Sequence, residues 1–378
     1  MQKIIRFVKK ETILTIAWAA AAVSGLFVHP SAAYLGYIDF KSLGILWSLM
    51  VVMEGFKQIG FFDDVGRSLL SKTRKMWQLE AVLVFLCFFF SMLITNDVAL
   101  LTFVPFTIFI MGRLERTELL IPIIALQTLA ANLGSMLTPV GNPQNLYLYS
   151  LSGMSFGEFI GLMLPYTGLT FALLILSISF HAGKSGSDIP EDAAGEKVSI
   201  GDFANFKVAA YAMLFIIALM VVLRIIPFTL LCAIVLVTVF FMDRKVLFSI
   251  DYALLFTFVG FFIFTGNLGN IPSINSFLTA MVSGREVPVG VLASQFISNV
   301  PAALLLSEFT EDFRSLIIGV NLGGLGTLIA SMASLISFKS LAHNYNALKG
   351  RYFLHFTLMN IIYLAILMGL WILNIQKM

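Results

Sequence analysis

Charge is what this sequence has least of. Only 12% of its 378 residues are Asp, Glu, Lys or Arg, about half of the roughly 25% usual in a soluble domain. That shortage excludes a set of ordinary soluble domains. The net charge of +3 is small, and the basic residues form short clusters between apolar runs, so no nucleic-acid-binding face is present. The two cysteines, Cys87 and Cys232, both lie inside apolar runs and read as small core residues, not as a disulfide or metal site. The four histidines, His29, His181, His343 and His355, lie near helix ends or loops without metal-ligand spacing. Gly183-Lys184-Ser185 ends like a phosphate loop, but Ile178 stands where the upstream glycine belongs and no strand precedes it. The sequence therefore offers no catalytic residues and calls for no cofactor.

Apolar residues are abundant: 59% of the chain, with mean hydropathy +0.93. They fall in many stretches near the ~20 residues needed to cross a bilayer. An all-α polytopic membrane protein is the class that fits. Apolar runs at 12–28 and 39–58 read as two crossings, and the mixed stretch from Gly60 to Trp77 reads as an amphipathic surface helix. The N-terminal basic residues, apolar run and Ser31-Ala32-Ala33 resemble a signal peptide, but the repeat described below needs this segment as a membrane helix. The run over 79–111 is interrupted at Thr95-Asn96-Asp97, and a long crossing over 119–149 is broken by Gly134 and by Pro139-Val140-Gly141-Asn142-Pro143. A further crossing spans 158–180, and a polar linker spans 181–206. The second half has crossings near 206–223, 227–242 and 250–269. After these come a stretch at 287–310 interrupted at Ser298-Asn299-Val300-Pro301, a Gly-rich broken crossing at 314–338, and a final helix at 352–374.

Two pairs of segments match across the halves. Ser91-Met-Leu-Ile-Thr-Asn-Asp-Val-Ala-Leu-Leu101 parallels Ser294-Gln-Phe-Ile-Ser-Asn-Val-Pro-Ala-Ala-Leu304, and Asn132-Leu-Gly-Ser-Met-Leu-Thr138 parallels Asn321-Leu-Gly-Gly-Leu-Gly-Thr327. Continued without a gap, Gly141-Asn142 faces Ala330-Ser331 and Asn145 faces Ser334. Both halves run hairpin, broken helix, whole helix. The expected fold is two inverted repeats, 1–180 and 207–378, with about nine crossings, two re-entrant hairpins and two discontinuous helices. Loop charges orient it with the N-terminus cytoplasmic and the C-terminus outside the cell's inner membrane. In that topology only Lys41, Arg224, Arg285, Arg314 and Lys377 of the 24 basic residues lie outside.

Inverted repeats with paired interruptions are a sequence pointer to a transporter site. A broken helix leaves unpaired N–H groups at its new N-terminus and unpaired C=O groups at its new C-terminus. The first suit a small anion; the second, with Asn, Ser and Thr oxygens, suit a hard cation such as sodium. Substrate contacts are expected at Thr95, Asn96, Asn142, Ser298, Asn299, Thr327 and Ser331. Coupling-ion contacts are expected at Asn96, Asp97, Thr138, Gly141, Asn145, Asn299 and Ser334. Gly323, Gly324 and Gly326 suit helix packing as well as ligand contact. Asp97, an ionisable group at membrane depth, either ligates sodium or carries a proton. Its matched position holds the neutral Val300. Glu54, near the end of the second crossing, reads as interfacial.

Hairpins and broken helices with Thr-Asn and Ser-Asn tips resemble the ion transporter superfamily. That group includes divalent anion:sodium symporters, citrate permeases, arsenite permeases and sodium/proton antiporters of the NhaD type. Ile94-Thr-Asn-Asp-Val-Ala-Leu100, Thr138-Pro-Val-Gly-Asn-Pro-Gln-Asn145 and Gly326-Thr-Leu-Ile-Ala-Ser331 are similar to its poorly characterised bacterial anion-permease branch. The resemblance covers nearly the whole chain. It implies a homodimer in the lipid bilayer and an elevator-like motion of hairpins and broken helices against a scaffold. The cargo it implies is a small inorganic or organic anion moved with sodium or protons. Dicarboxylate symporters carry Ser-Asn-Thr at both tips; here the third positions are Asp97 and Val300. A carboxylate beside Asp97 needs a cation or proton to neutralise it, and an Asn-Asp tip is closer to the arsenite and antiporter branches.

Overall fold

A computed structural model describes residues 11–70, 72–182 and 206–375. Most of the linker expected over 181–206 lies outside them. The described residues contain eighteen α-helices and several short 3-10 turns. The first half comprises α1 (Thr12–Ser24), the one-turn α2 (Tyr34–Tyr37), α3 (Phe40–Gln58), α4 (Phe61–Leu70), α5 (Met76–Ile94), α6 (Asn96–Arg113), α7 (Leu120–Gly134), α8 (Pro143–Ser152) and α9 (Phe156–Ala182). The second comprises α10 (Phe206–Val222), α11 (Phe228–Ser249), α12 (Tyr252–Gly269), α13 (Pro272–Val282), α14 (Glu286–Ile297), α15 (Asn299–Leu306), α16 (Phe313–Gly323), α17 (Met332–Asn344) and α18 (Lys349–Ile375).

Most of these helices are apolar on every face, so amphipathic periodicity does not mark their starts, and at a few of them an acidic cap does. Asp39 caps α3 by accepting from Ser42 N at 3.0 Å, and Asp251 caps α12 by accepting from Leu254 N at 3.2 Å. Asp312 caps α16 through Ser315 N at 3.0 Å. Helix α4 differs: Asp63, Asp64 and Arg67 give it a polar side, and Arg67 meets Asp64 at 3.3 Å. The surface helix expected from Gly60 to Trp77 is thus shorter, and the α3–α4 pair bends by 58°. Glu54 pairs with Lys57 at 3.3 Å in the last turn of α3.

Among the described residues six helices are long and apolar enough to cross a membrane, or seven if α3 and α4 form one span. The sequence reading counts about nine crossings and two hairpins. The counts differ because length admits both arms of the first hairpin, α5 and α6, and excludes α1 and α10 with 13 and 17 residues. Helix α1 stops at Ser24 instead of running to 28; Ser24 Oγ folds back on Ala21 O at 2.9 Å and Gly25 closes the helix. Helix α11 runs past 242 with a non-helical kink at Asp243, which Lys207 of α10 pairs at 3.1 Å. Helix α13, with Pro272 in its first turn, has no counterpart in the sequence reading.

The span containing α7 is the centre of the bundle, 89% buried, whereas those of α9 and α18 are 33% and 22% buried and form the periphery. Two matching contacts hold the centre together. A methyl at Gly134 of α7 would lie 2.3 Å from Phe88 O and 2.7 Å from Ser91 Oγ of α5. One at Gly323 of α16 would lie 2.5 Å from Ser294 Oγ of α14. Only glycine permits these approaches, so Gly323 serves helix packing. Gly324 lies against the Asn299 amide, and Gly326, at φ +107°, lies against the Gln295 amide.

Candidate functional site: two tips and a crossed pair of asparagines

The two interruptions read from the sequence have nearly the same backbone. Thr95, between α5 and α6, has φ 73° and ψ 148°; Ser298, between α14 and α15, has φ 72° and ψ 155°. Positive φ is strained for a residue with a Cβ, most of all for β-branched threonine. What holds each tip is the next residue. Asn96 donates its backbone N–H to Gly141 O at 3.1 Å, and Asn299 donates to Ala330 O at 3.0 Å. These acceptors are the two residues that face each other in the sequence match, each just before the second part of a broken helix. A methyl at Gly141 would lie 2.0 Å from Ser135 O, so glycine is required there.

Between the halves the side chains cross. Asn132, in the last turn of α7, donates to Ser334 Oγ at 3.1 Å and accepts from Ser331 Oγ at 3.0 Å. Its counterpart Asn321, in the last turn of α16, donates to Asn145 Oδ1 at 2.6 Å and accepts from Asn142 Nδ2 at 3.2 Å. The first half's asparagine therefore serves the second half's break, and the reverse. Asn132 Oδ1 also accepts from Asn96 Nδ2 at 3.0 Å, tying the first tip into the centre. Asn299 makes no matching bond to Asn321; its Oδ1 accepts from Ser298 Oγ at 3.4 Å.

The remaining expected residues fall around this centre. Asn142 caps α8, its Oδ1 accepting from Asn145 N at 2.9 Å, and also donates to Ser135 Oγ at 3.3 Å. Asn145 Nδ2 gathers the carbonyls of Ser135, Met136 and Thr138 at 3.2–3.5 Å, satisfying the end of the broken turn. The Thr138 hydroxyl donates to Met92 O in the hairpin. Thr327 stands apart: it is exposed, and its N–H and hydroxyl both bond Gln295, at 3.0 and 3.3 Å. Asp97 is half-buried in the first turn of α6, with its N–H donating to Asn96 Oδ1 at 3.0 Å. The matched Val300 is 8% exposed.

Asn132 and Asn321 lie in the matched segments but outside the residues expected to contact substrate or coupling ion. The signal was available: the same amide at matched positions, one turn before each break. Ser135, which joins the Asn142 network, likewise lies outside the expected set.

The assembled group contains no Lys, Arg or His. Positive partial charge comes to it from the N-termini of α6, α8, α15 and α17, each equivalent to about half a charge, joined by the bonds above. The ends of α5, α7, α14 and α16 supply carbonyls to the same region. Such a centre can hold an anion by backbone N–H groups and a hard cation by carbonyl and amide oxygens. No cluster of three His, Cys, Asp or Glu residues suited to a metal occurs among the described residues.

A family model described as "Citrate transporter" matches residues 2–311. An uncharacterized transporter of Methanocaldococcus jannaschii is 32% identical over 334 residues, covering 88% of this chain and 89% of its own length. Inner membrane protein YbiR of Escherichia coli is 31% identical over 321 residues, 80% of either chain. A silicon efflux transporter of Oryza sativa is 30% identical over 165 residues, 43% of this chain and 34% of that protein. The all-helical, multi-pass architecture and these matches together place the chain in the citrate transporter family of the ion transporter superfamily, as a secondary transporter and not an enzyme.

Proposed function

We propose that this protein moves a small inorganic or organic anion across the cell's inner membrane, coupled to sodium or protons, by an elevator-type alternating-access motion. In this reading it has two inverted repeats, nine crossings with two hairpins, a cytoplasmic N-terminus, an extracytoplasmic C-terminus and a homodimeric scaffold. The observation that carries it is the crossed pair, Asn132 with Ser331 and Ser334, and Asn321 with Asn142 and Asn145. These bonds join half-helix ends from both repeats, so a ligand inserted there touches both repeats at once. The substrate takes the N–H groups at the tips and breaks, with Thr95, Asn96, Asn142, Ser298, Asn299 and Ser331. The coupling ion takes the oxygens around Asp97, Thr138, Gly141, Asn145 and Ser334. Thr327, exposed and held by Gln295, serves the turn instead.

A second reading, efflux of arsenite or another weak oxyacid or sodium/proton exchange, is favoured by one observation. The centre holds a carboxylate, Asp97, and no cationic side chain, which suits a neutral polyhydroxy acid or a bare cation as well as an anion. The relative named a silicon efflux transporter supports it.

Proteoliposomes with imposed sodium or proton gradients, tested with citrate, dicarboxylates, sulfate, arsenite and silicic acid, separate the two. Gradient-driven accumulation of an anion that is lost in Asn132→Ala and Asn321→Ala supports the first. Proton-driven movement of arsenite or silicic acid, abolished by Asp97→Asn, supports the second. Transport undiminished in both asparagine variants would remove the centre from either mechanism.

A further inference from the structure

The starts of α9, α14 and α16 and the end of α18 enclose a cleft of about 770 Å³. Helices α9 and α18 are the peripheral spans of the bundle, and Leu164, Ile372 and Leu373 on them are exposed. The cleft therefore borders lipid. Trp371, which lines it, lies near the end of α18, and tryptophan favours the level of the headgroups.

The charged groups of the cleft are only partly satisfied by one another. Glu158 of α9 uses both oxygens: Oε2 accepts from Ser155 N at 2.7 Å and Ser155 Oγ at 2.9 Å, and Oε1 from Arg314 at 3.2 Å. Glu286, the first residue of α14 and only 5% exposed, uses Oε1 alone, accepting from Gly284 N at 3.0 Å and Thr310 Oγ1 at 2.9 Å. Asp312 uses Oδ1 alone, in the α16 cap. Glu286 Oε2, Asp312 Oδ2 and the guanidinium of Arg285 have no partner among the described residues. These groups are neighbours. The Thr310 hydroxyl that donates to Glu286 accepts from Asp312 N at 3.0 Å, and Arg285 adjoins Glu286 in the chain.

A carboxylate buried as far as Glu286 is costly unless it is paired. A simple anion pairs Arg285 and leaves two carboxylates unmet; a simple cation does the reverse. A zwitterion carrying a phosphodiester and a primary ammonium meets both demands. The ammonium offers three N–H donors to the open carboxylate oxygens, and a guanidinium fork matches phosphate oxygens.

We propose that this cleft binds the headgroup of a phosphatidylethanolamine-type lipid, with its phosphodiester on Arg285, its ammonium on Glu286 and Asp312, and its acyl chains along α9 and α18. Such a lipid touches four helices. It ties the two peripheral spans to the second hairpin and the second broken helix, whatever the cargo.

The test titrates the delipidated full chain in detergent with ethanolamine, choline and glycerol phospholipids of identical acyl chains, read by native mass spectrometry and by melting temperature. Choline lipid has no ammonium N–H, and glycerol lipid has no cation. The ethanolamine lipid is expected to bind about 10-fold more tightly than either and to raise the melting temperature most. Glu286→Gln with Asp312→Asn keeps the oxygens the fold uses, removes both charges, and brings that preference to within about 2-fold. Arg285→Gln, at an exposed position, weakens ethanolamine lipid about 10-fold and leaves the lipid-free melting temperature unchanged. Equal affinity for the three lipids, or a preference that survives the paired substitution, overturns the inference. Unchanged binding in Arg285→Gln also overturns it, and keeps the test decisive should the paired variant fold poorly. Soluble glycerophosphoethanolamine, the same headgroup without chains, is expected to bind about 10-fold more weakly or worse. Equal affinity for it would assign the cleft to a free solute and overturn the lipid.

Discussion

The hydrogen bond from Asn321 Nδ2 to Asn145 Oδ1, 2.6 Å long and fully buried, joins residues 176 positions apart. Removing either partner strands the other. Asn321→Ala leaves Asn145 Oδ1 without its donor and Asn142 Nδ2 without its acceptor, although Asn142 keeps Ser135 at 3.3 Å. Asn145→Ala strands Asn321 Nδ2 in part, since Ile317 O remains at 2.8 Å, and frees three carbonyls held at 3.2–3.5 Å. A newly unpaired buried group costs about 1–3 kcal/mol, so each single variant should lose about 2 kcal/mol. Hydrogen bonds between membrane helices couple by about 0.6 kcal/mol on average and up to about 1.7. The short distance and full burial put this pair near the top of that range, and a coupling of about 1–1.5 kcal/mol is expected. Reversible unfolding of wild type, both single variants and the double variant in bicelles, followed by circular dichroism against added SDS, gives the cycle. Effects that add to within about 0.3 kcal/mol would refute the claim that the crossing joins the two halves.

Other perturbations separate packing from strain. Thr95→Gly and Ser298→Gly should each raise unfolding free energy by about 1 kcal/mol, since the positive φ of 73° and 72° suits glycine; equal or lower stability in the same SDS titration would contradict this. Gly134→Ala must push α5 from α7, because the new methyl meets a backbone oxygen at 2.3 Å; a loss of about 3 kcal/mol is expected in that titration. At Gly153, with φ +70° but nothing within 4 Å, alanine should cost only about 1 kcal/mol. Asp243→Asn removes a half-exposed ion pair with Lys207 and should change stability by less than about 1 kcal/mol.

The turns at Thr95 and Ser298 and the helix breaks are legible because polar and small residues interrupt apolar runs, and few other reasons exist to place them there. Thr95 and Ser298 mark turns found within a residue of expectation, and Gly141 and Ala330, aligned by sequence alone, accept the same backbone bond. Where helices end was less legible. Helix α1 stops early through a serine hydroxyl and a glycine cap, and α11 continues through a kink at Asp243, features that apolar content does not register. Helix α13 starts at Pro272, after Ile271, in a segment of mixed polarity too short to span. Within the site, sequence pointed to the residues at the breaks and passed over Asn132 and Asn321, which lie one turn earlier. An asparagine in the last turn of a helix carries no local signal for reaching across the molecule; only the repetition of Asn132 and Asn321 at matched positions does.

The crossed asparagines also bear on how the protein is made. Asn132 finds Ser334 after 202 residues, and Asn321 reaches back to Asn145 over 176. Synthesis at about 5–20 residues per second opens an interval on the order of ten seconds or more between these partners. During it Asn132, Asn142 and Asn145 have only their first-half partners, Asn96, Ser135 and the carbonyls of the broken turn, and lack Ser331, Ser334 and Asn321. Neither half can complete its own polar centre, so separately expressed halves should be protease-sensitive alone and become resistant when produced together.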